Sequence, residues 1–355
     1  MKKILCAFLL FAMVLPLVLT GCDAQQPALP SEPSEGLEFT LREDGQSYTL
    51  TGVTDSFSDE YLIIPDEYEG KPVTAIASKG FVKIVKGGGY TFTIGHIKGI
   101  FIPATIEEIE LETNIISACS ELTRIEVEEG NARYHSEGNC LIETATKTLI
   151  TGCKSSKIPT DGSVTVIGER AFYACHGLEG VKIPKAITRI EGAAFFMCSN
   201  LKTVQLPKTI TYIGNTAFAR CESLETLELP DVPLYICDWD VKATPEFSEG
   251  LIASGCVRME GPAAYMGKHL IWAGDEPGAF VVKEGTLSIA ESAFSTAVTS
   301  IEIPESVSVI VIDAFFRCQS LTQIKYDGTV AQWKQMTSEV RLPENVTVTC
   351  SDGQA

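Results

Sequence analysis

Nine apolar columns recur at a fixed step of 23 residues between Val164 and Pro230. The first line is Val164, Ile167, Ala171, Phe172, Cys175, Leu178, Val181, Ile183, Pro184. The second is Ile187, Ile190, Ala194, Phe195, Cys198, Leu201, Val204, Leu206, Pro207, and the third is Ile210, Ile213, Ala217, Phe218, Cys221, Leu224, Leu227, Leu229, Pro230. A period of this size marks a repeat architecture. Leu201-x-x-Val204-x-Leu206 ends in alternation, which suits a short strand with one buried face. Pro207 has no N–H to give a ladder and closes that strand. Ile210-x-x-Ile213 turns the chain back across the core, Gly214 relieves a tight corner, and Ala217-Phe218-x-x-Cys221 fills the remaining cross-section. One such coil cannot bury its apolar side alone. Stacked coils bury it against one another, strand beside strand about 4.8 Å apart. The spacing therefore predicts a repeat solenoid of about 23-residue coils with a continuous parallel β-sheet, a β-rich N-terminal cap and a long insertion.

The flanks of this block set the domain organisation. Residues 1–21 read as a targeting segment, with Lys2 and Lys3 before the apolar run Ile4–Leu19, too short for a comfortable membrane span. Residues 22–36 form a tether with Pro27, Pro30 and Pro33 and no apolar period. Residues 37–81 hold a cap and a first coil: Leu37–Leu41 and Tyr48–Val53 alternate as strands around an Asp44-Gly45 turn, then Ile63, Ile64, Val73, Ile76 and Phe81 rejoin the columns. Residues 82–230 carry further repeats, with Ile116 at a phenylalanine column and a departure at 127–158, where Gly138–Glu143 and Thr148–Gly152 read as paired strands. Residues 231–280 are an irregular insertion in which His269–Trp272 looks like a strand. Repeats resume over 281–330, and 331–355 form a C-terminal cap and tail, with Arg341–Cys350 a terminal strand and a loose end.

Composition limits the function classes. A formal charge of −18 lacks the basic footprint of a nucleic-acid binder or a polybasic membrane patch. Hydrophobic content of 45% describes an ordered, well-packed chain. Of twelve cysteines, Cys119, Cys175, Cys198, Cys221 and Cys318 share one repeat column, a place for buried thiols whose parallel Cβ vectors disfavour bridges. Cys140 with Cys153, and Cys237 with Cys256, are the pairs open to bridging; no Cys-x-x-Cys spacing points to zinc. The four histidines (His96, His135, His176, His269) have no metal-ligand spacing, and no Gly-x-Ser-x-Gly elbow occurs. Asp238-Trp239-Asp240 fits a solvated turn better than a catalytic pair. The expectation is a non-catalytic protein with no catalytic residues, metal or cofactor.

The pattern Ile-Pro-x-x-Ile-Thr-x-Ile-Gly-x-x-Ala-Phe-x-x-Cys-x-x-Leu resembles the BspA-like (Treponema-type) leucine-rich repeat family. That resemblance implies a bacterial surface protein with adhesion or ligand binding as its role. Within the family's pattern, 127–158 resembles hairpin-bearing coils, and Asp327–Trp333 resembles the closing segment in which a short helix with a Trp covers the last coil. Leu19-Thr20-Gly21-Cys22 resembles a bacterial lipobox, implying cleavage before Cys22 and a lipid anchor there; an ordinary secretory signal with an incidental Cys is the competing reading.

Two surfaces are candidates for a partner, a host or bacterial surface protein or a glycan. One is the set of exposed strand rows, Gly180, Thr203, Thr226 and Lys182, Gln205, Glu228. The other is the insertion, whose Tyr235, Trp239, Tyr265 and Trp272 either anchor a partner or pack as a satellite core. The alternative function is a structural or spacer protein of the cell envelope without a high-affinity ligand. Membrane contact is expected through the lipid anchor only, with no nucleic acid.

Overall fold

Each regular coil lays down two strands, and inter-coil hydrogen bonds explain why. The first is Gly180–Lys182, Thr203–Gln205 and Thr226–Glu228, paired in parallel with Val181, Val204 and Leu227 in register. The second is Val166–Ile167, Arg189–Ile190, Tyr212–Ile213 and Tyr235–Ile236, also parallel. The Ile-x-x-Ile stretch was expected as a turn only. It is a strand because Thr211 N donates to the Thr188 carbonyl and Gly214 N to the Ile190 carbonyl, so its backbone is satisfied by the coil before it. In this computed structural model, which describes residues 32–77, 81–84, 90–110, 116, 119–237 and 257–355, the chain is a β-solenoid of about eleven turns of about 23 residues.

The expected continuous sheet is in pieces. Along the first strand position there is a three-stranded sheet of Tyr61–Ile63, Gly99–Ile102 and Arg124–Val127, then the regular block, then a five-stranded sheet starting at Gly278–Val281. The breaks fall at two excursions. Tyr134–Glu137, Cys140–Glu143 and Thr148–Thr151 form an antiparallel meander, and Arg258–Glu260, Ala263–Met266 and His269–Trp272 form another. Each meander feeds the second sheet, through Thr148–Val166 and His269–Ser288 pairing, and leaves the first without a strand for that turn. Tyr134–Glu137 has no column signature and was not expected. Tyr235 and Ile236, counted with the insertion from sequence, continue the regular ladder.

The ends are covered. Leu37–Leu41 and Tyr48–Val53 pair antiparallel, and Asp44 Oδ1 accepts from Gln46 N at 2.7 Å to hold the turn. The helix Val330–Met336 begins with a capping box between Thr329 and Gln332 and buries Trp333. Thr347–Cys350 adds to the five-stranded sheet. The tail, expected loose, folds back as Gly353–Gln354 and pairs with it through Thr349 and Gln354.

The core is a stack of like on like. Phe172 and Phe195 lie 5.0 Å apart at 3°, Phe195 and Phe218 5.1 Å at 3°, and Phe294 and Phe315 5.4 Å at 5°. These rings are buried, as are Val164, Ile187, Ile210 and their column partners. The cysteine column serves the backbone: Cys198 Sγ donates to the Phe172 carbonyl at 3.0 Å and Cys221 Sγ to the Phe195 carbonyl at 3.1 Å. Burial pushes the Cys119 and Cys175 thiols up to about 12. Cys140 and Cys153 are both free thiols, and Cys237 donates to the Tyr212 hydroxyl. Cys256 lies outside the described residues. The corner before each Ala-Phe uses left-handed backbone at non-glycine residues: Arg170, Ala193 and Thr216 have φ of 56°, 53° and 53°. Gly214 answers a different need. A Cβ there would sit 2.5 Å from Gly192 N, so neighbouring coils approach too closely for a side chain.

His269 sits at the junction of the regular block with the second meander. It is fully buried; its Nε2 lies 3.1 Å from the Pro230 carbonyl, and its Nδ1 has no partner among the described residues. The charged groups near it are Asp231 and Lys268, which pair with each other at 3.1 Å. Burial, opposed by the Pro230 carbonyl, holds the imidazole below its usual value.

Two outcomes follow from this packing. Phe195→Ala removes the middle ring of a three-ring stack, and by the usual cost of such cavities it should lower unfolding free energy by about 3–5 kcal/mol. Denaturant melts check this; an unchanged midpoint would mean the columns are misaligned. His269 must be neutral to stay buried, so its contribution is complete above about pH 6.5 and is lost as pH falls toward its lower folded value. Thermal midpoints taken at about pH 7.5 and about pH 5 should drop in the native chain and drop less in His269→Gln. Equal drops would remove His269 as the cause.

Candidate functional site

The first strand position points alternate side chains outward, and the parallel register turns them into rows. Gly180, Thr203 and Thr226 form one row; Lys182, Gln205 and Glu228 form the next, all exposed. A matching row recurs in the last block as Glu302, Lys325 and Thr349. The two charged rows differ in one respect. Lys325 pairs with Glu302 at 3.2 Å and with Asp327 at 3.3 Å, and those hydrogen bonds hold its ammonium above the usual value. Among the described residues, Lys182 and Glu228 make no ion pair, so their charges are left to solvent or to a partner.

The row at Glu228 opens into a polar groove of about 460 Å³. Thr226, Glu228, Asp231, Arg258, Glu260 and Lys283 supply its polar lining. Lys283 Nζ donates to Glu260 at 2.6 Å and stands 5.9 Å from the Tyr265 ring centroid. The second meander brings Arg258 and Glu260 here. Nothing in the period marks them, and sequence reasoning missed them.

The aromatic candidates divide. Tyr265 is 4% exposed, its hydroxyl accepts from Lys283 N at 3.2 Å, and it packs in the core with Leu270 and Ile289. It is not a surface anchor: the meander has its own apolar face to bury, and Tyr265 is on that face. Trp272 is half-buried against the central core cluster, with its indole nitrogen enclosed. Tyr235 is half-buried in a ladder on the second sheet, where Arg189 lies 3.8 Å over the Tyr212 ring and Tyr212 stacks on Tyr235 at 5.5 Å. Trp239 and Cys22 lie outside the described residues.

The histidines are separate. His176 Nδ1 meets Ser199 Oγ at 2.9 Å, His135 Nδ1 meets Thr144 Oγ1 at 2.8 Å, and His96 packs beside Phe57. Among the described residues no group of three or more His, Cys, Asp or Glu is placed to hold a metal ion. Among them, too, no helix is long and apolar enough to cross a membrane.

Comparison with known proteins gives the following. Residues 146–239 and 279–347 match the family described as BspA type leucine rich repeat region, in six copies. No curated protein matches the chain. Among solved structures, a leucine-rich repeat protein from Bacteroides ovatus is 20% identical, with 90% of this chain and 79% of that one covered and a TM-score of 0.42. The T. pallidum leucine-rich repeat protein is 18% identical, with 63% and 95% covered and a TM-score of 0.34. A leucine-rich repeat protein from Eubacterium ventriosum is 14% identical, with 79% and 92% covered and a TM-score of 0.37. With nine columns in register, coils of about 23 residues and six matched copies, residues 146–239 and 279–347 of this β-solenoid carry repeats that match the BspA type leucine rich repeat region.

Proposed function

We propose that this protein is a bacterial, extracytoplasmic, lipid-anchored repeat protein that binds a protein or glycan partner without catalysis. Lys2, Lys3, the apolar run Ile4–Leu19 and Leu19-Thr20-Gly21-Cys22 support the anchor at Cys22. The observation that carries the binding reading is the uncompensated row of Lys182, Gln205 and Glu228 leading into the polar groove with Arg258 and Glu260. An ordered row of opposite charges that do not neutralise each other offers a partner complementary contacts with little reorganisation. An envelope spacer needs only solubility, and the self-paired row of Glu302, Lys325 and Asp327 is what such a surface looks like.

The test is a binding screen of the full chain in detergent against matrix proteins, mucins, glycans and bacterial wall fragments. Beside it runs the double variant Lys182→Glu with Glu228→Lys, which reverses the row and leaves the core alone. A partner bound by the native chain and weakened about tenfold or more in the variant supports the reading. A partner bound equally by both places the contact elsewhere. No partner in any class moves the protein to the spacer role.

A further inference from the structure

The second sheet of the solenoid ends differently from the first. Within its ladders, two carbonyls of one coil accept two N–H groups of the next. Thr165 and Ile167 accept from Thr188 and Glu191; Thr188 and Ile190 accept from Thr211 and Gly214; Leu287 and Ile289 accept from Ser308 and Val311. The last strand of this series is Val309–Ile310, and the corresponding acceptors are the carbonyls of Ser308 and Ile310. Among the described residues no donor reaches either one. Beyond them the Val311 carbonyl accepts from Ala314 N within its own turn, and the Ile312 carbonyl accepts from Arg341 N. The first sheet, by contrast, is extended by Thr347–Cys350 and closed by Gly353–Gln354.

The space beside those two carbonyls is a groove of about 650 Å³ between the last coil and the C-terminal helix. Its floor is apolar, with Val307, Ile310, Tyr326, Met336 and Val340. Its charged lining is acidic throughout: Glu305, which accepts from Gln332 at 3.1 Å, and exposed Glu339, with no Lys or Arg in the wall. A strand edge with unpaired carbonyls in a recessed apolar slot is a template for one added strand. The edge is two residues long and walled by a helix, which suits a single peptide rather than the broad sheet edge of a second copy.

We propose that this groove binds an extended peptide segment of a partner protein by β-strand addition to Val309–Ile310. The peptide donates two N–H groups, three residues apart, to the Ser308 and Ile310 carbonyls. The residue before each donor is apolar and enters the floor, as Ile187 and Ile190 do before Thr188 and Glu191 within the array. A basic side chain beside them meets Glu339. A proline at either donor position is excluded, because it has no N–H. This site is separate from the strand rows, and it stands or falls independently of them.

The array supplies its own probe, a fluorescent synthetic peptide of residues 184–192, which carries Lys185, Ile187, Thr188, Arg189, Ile190 and Glu191. It is titrated against the full chain in detergent by anisotropy, next to the same peptide N-methylated at Thr188 and Glu191. Saturable binding is expected. N-methylation should weaken it about tenfold or more, the exposed and unpaired Glu339→Lys should weaken it about threefold or more, and the reversed row Lys182→Glu with Glu228→Lys should leave it unchanged. No binding at about 1 mM, or equal binding after N-methylation, overturns the proposal. Concentration-dependent self-association that the peptide displaces would assign the edge to a second copy and likewise overturn it.

Discussion

Burial in this protein is only possible between coils. A single turn of about 23 residues has one apolar side and no layer of its own to place against it. Everything else depends on the next turn presenting the same residues in the same place. Phenylalanine stacks on phenylalanine and isoleucine on isoleucine, and the Cys198 and Cys221 thiols each reach the carbonyl of the phenylalanine one coil back. The backbone follows the same rule: the N–H groups of one coil find their acceptors in the one before it. Stability of such a stack is nearest-neighbour in character, so a lost ring is felt first by the coils on either side.

A structure that relies on neighbours has a difficulty wherever a neighbour is missing. Both meanders interrupt the first sheet, and each opens a new segment of the second, so both sheets are divided at the same turns. The polar groove beside Glu228 lies at one of these divisions, where the first sheet stops and the second meander supplies Arg258 and Glu260. At the C-terminal end the helix and Trp333 cover the core and the tail covers one sheet. The other sheet is left with two carbonyls facing a slot. Both candidate surfaces are therefore consequences of how the repeat stops or is broken.

Much of this was legible in the residues. The columns, the coil length and the N-terminal hairpin around Asp44-Gly45 rest on local patterns, which a linear chain displays directly, while the helix holding Trp333 was legible only through the family resemblance of Asp327–Trp333. The second sheet was not legible, because a two-residue strand such as Arg189–Ile190 has no alternation to detect and exists only through its inter-coil bonds. The left-handed corners were hidden for a similar reason: Arg170, Ala193 and Thr216 carry no glycine signal, and the stack imposes their conformation. Tyr265 showed the limit of composition. An aromatic in an irregular stretch reads equally as anchor or filler, and only its place on the meander's inner face makes it filler.

By itself, then, the sequence determined the repeat, its period and which side of each coil is apolar, because those are properties of spacing along one chain. The tertiary structure decided which charges neutralise each other and which do not. Lys325 meets Glu302 one coil away, while among the described residues Lys182 and Glu228 make no ion pair, although both rows carry Lys and Glu. It also decided that the two sheets end unequally. Both outcomes depend on distances between residues far apart in the chain, and such distances exist only once the coils are stacked.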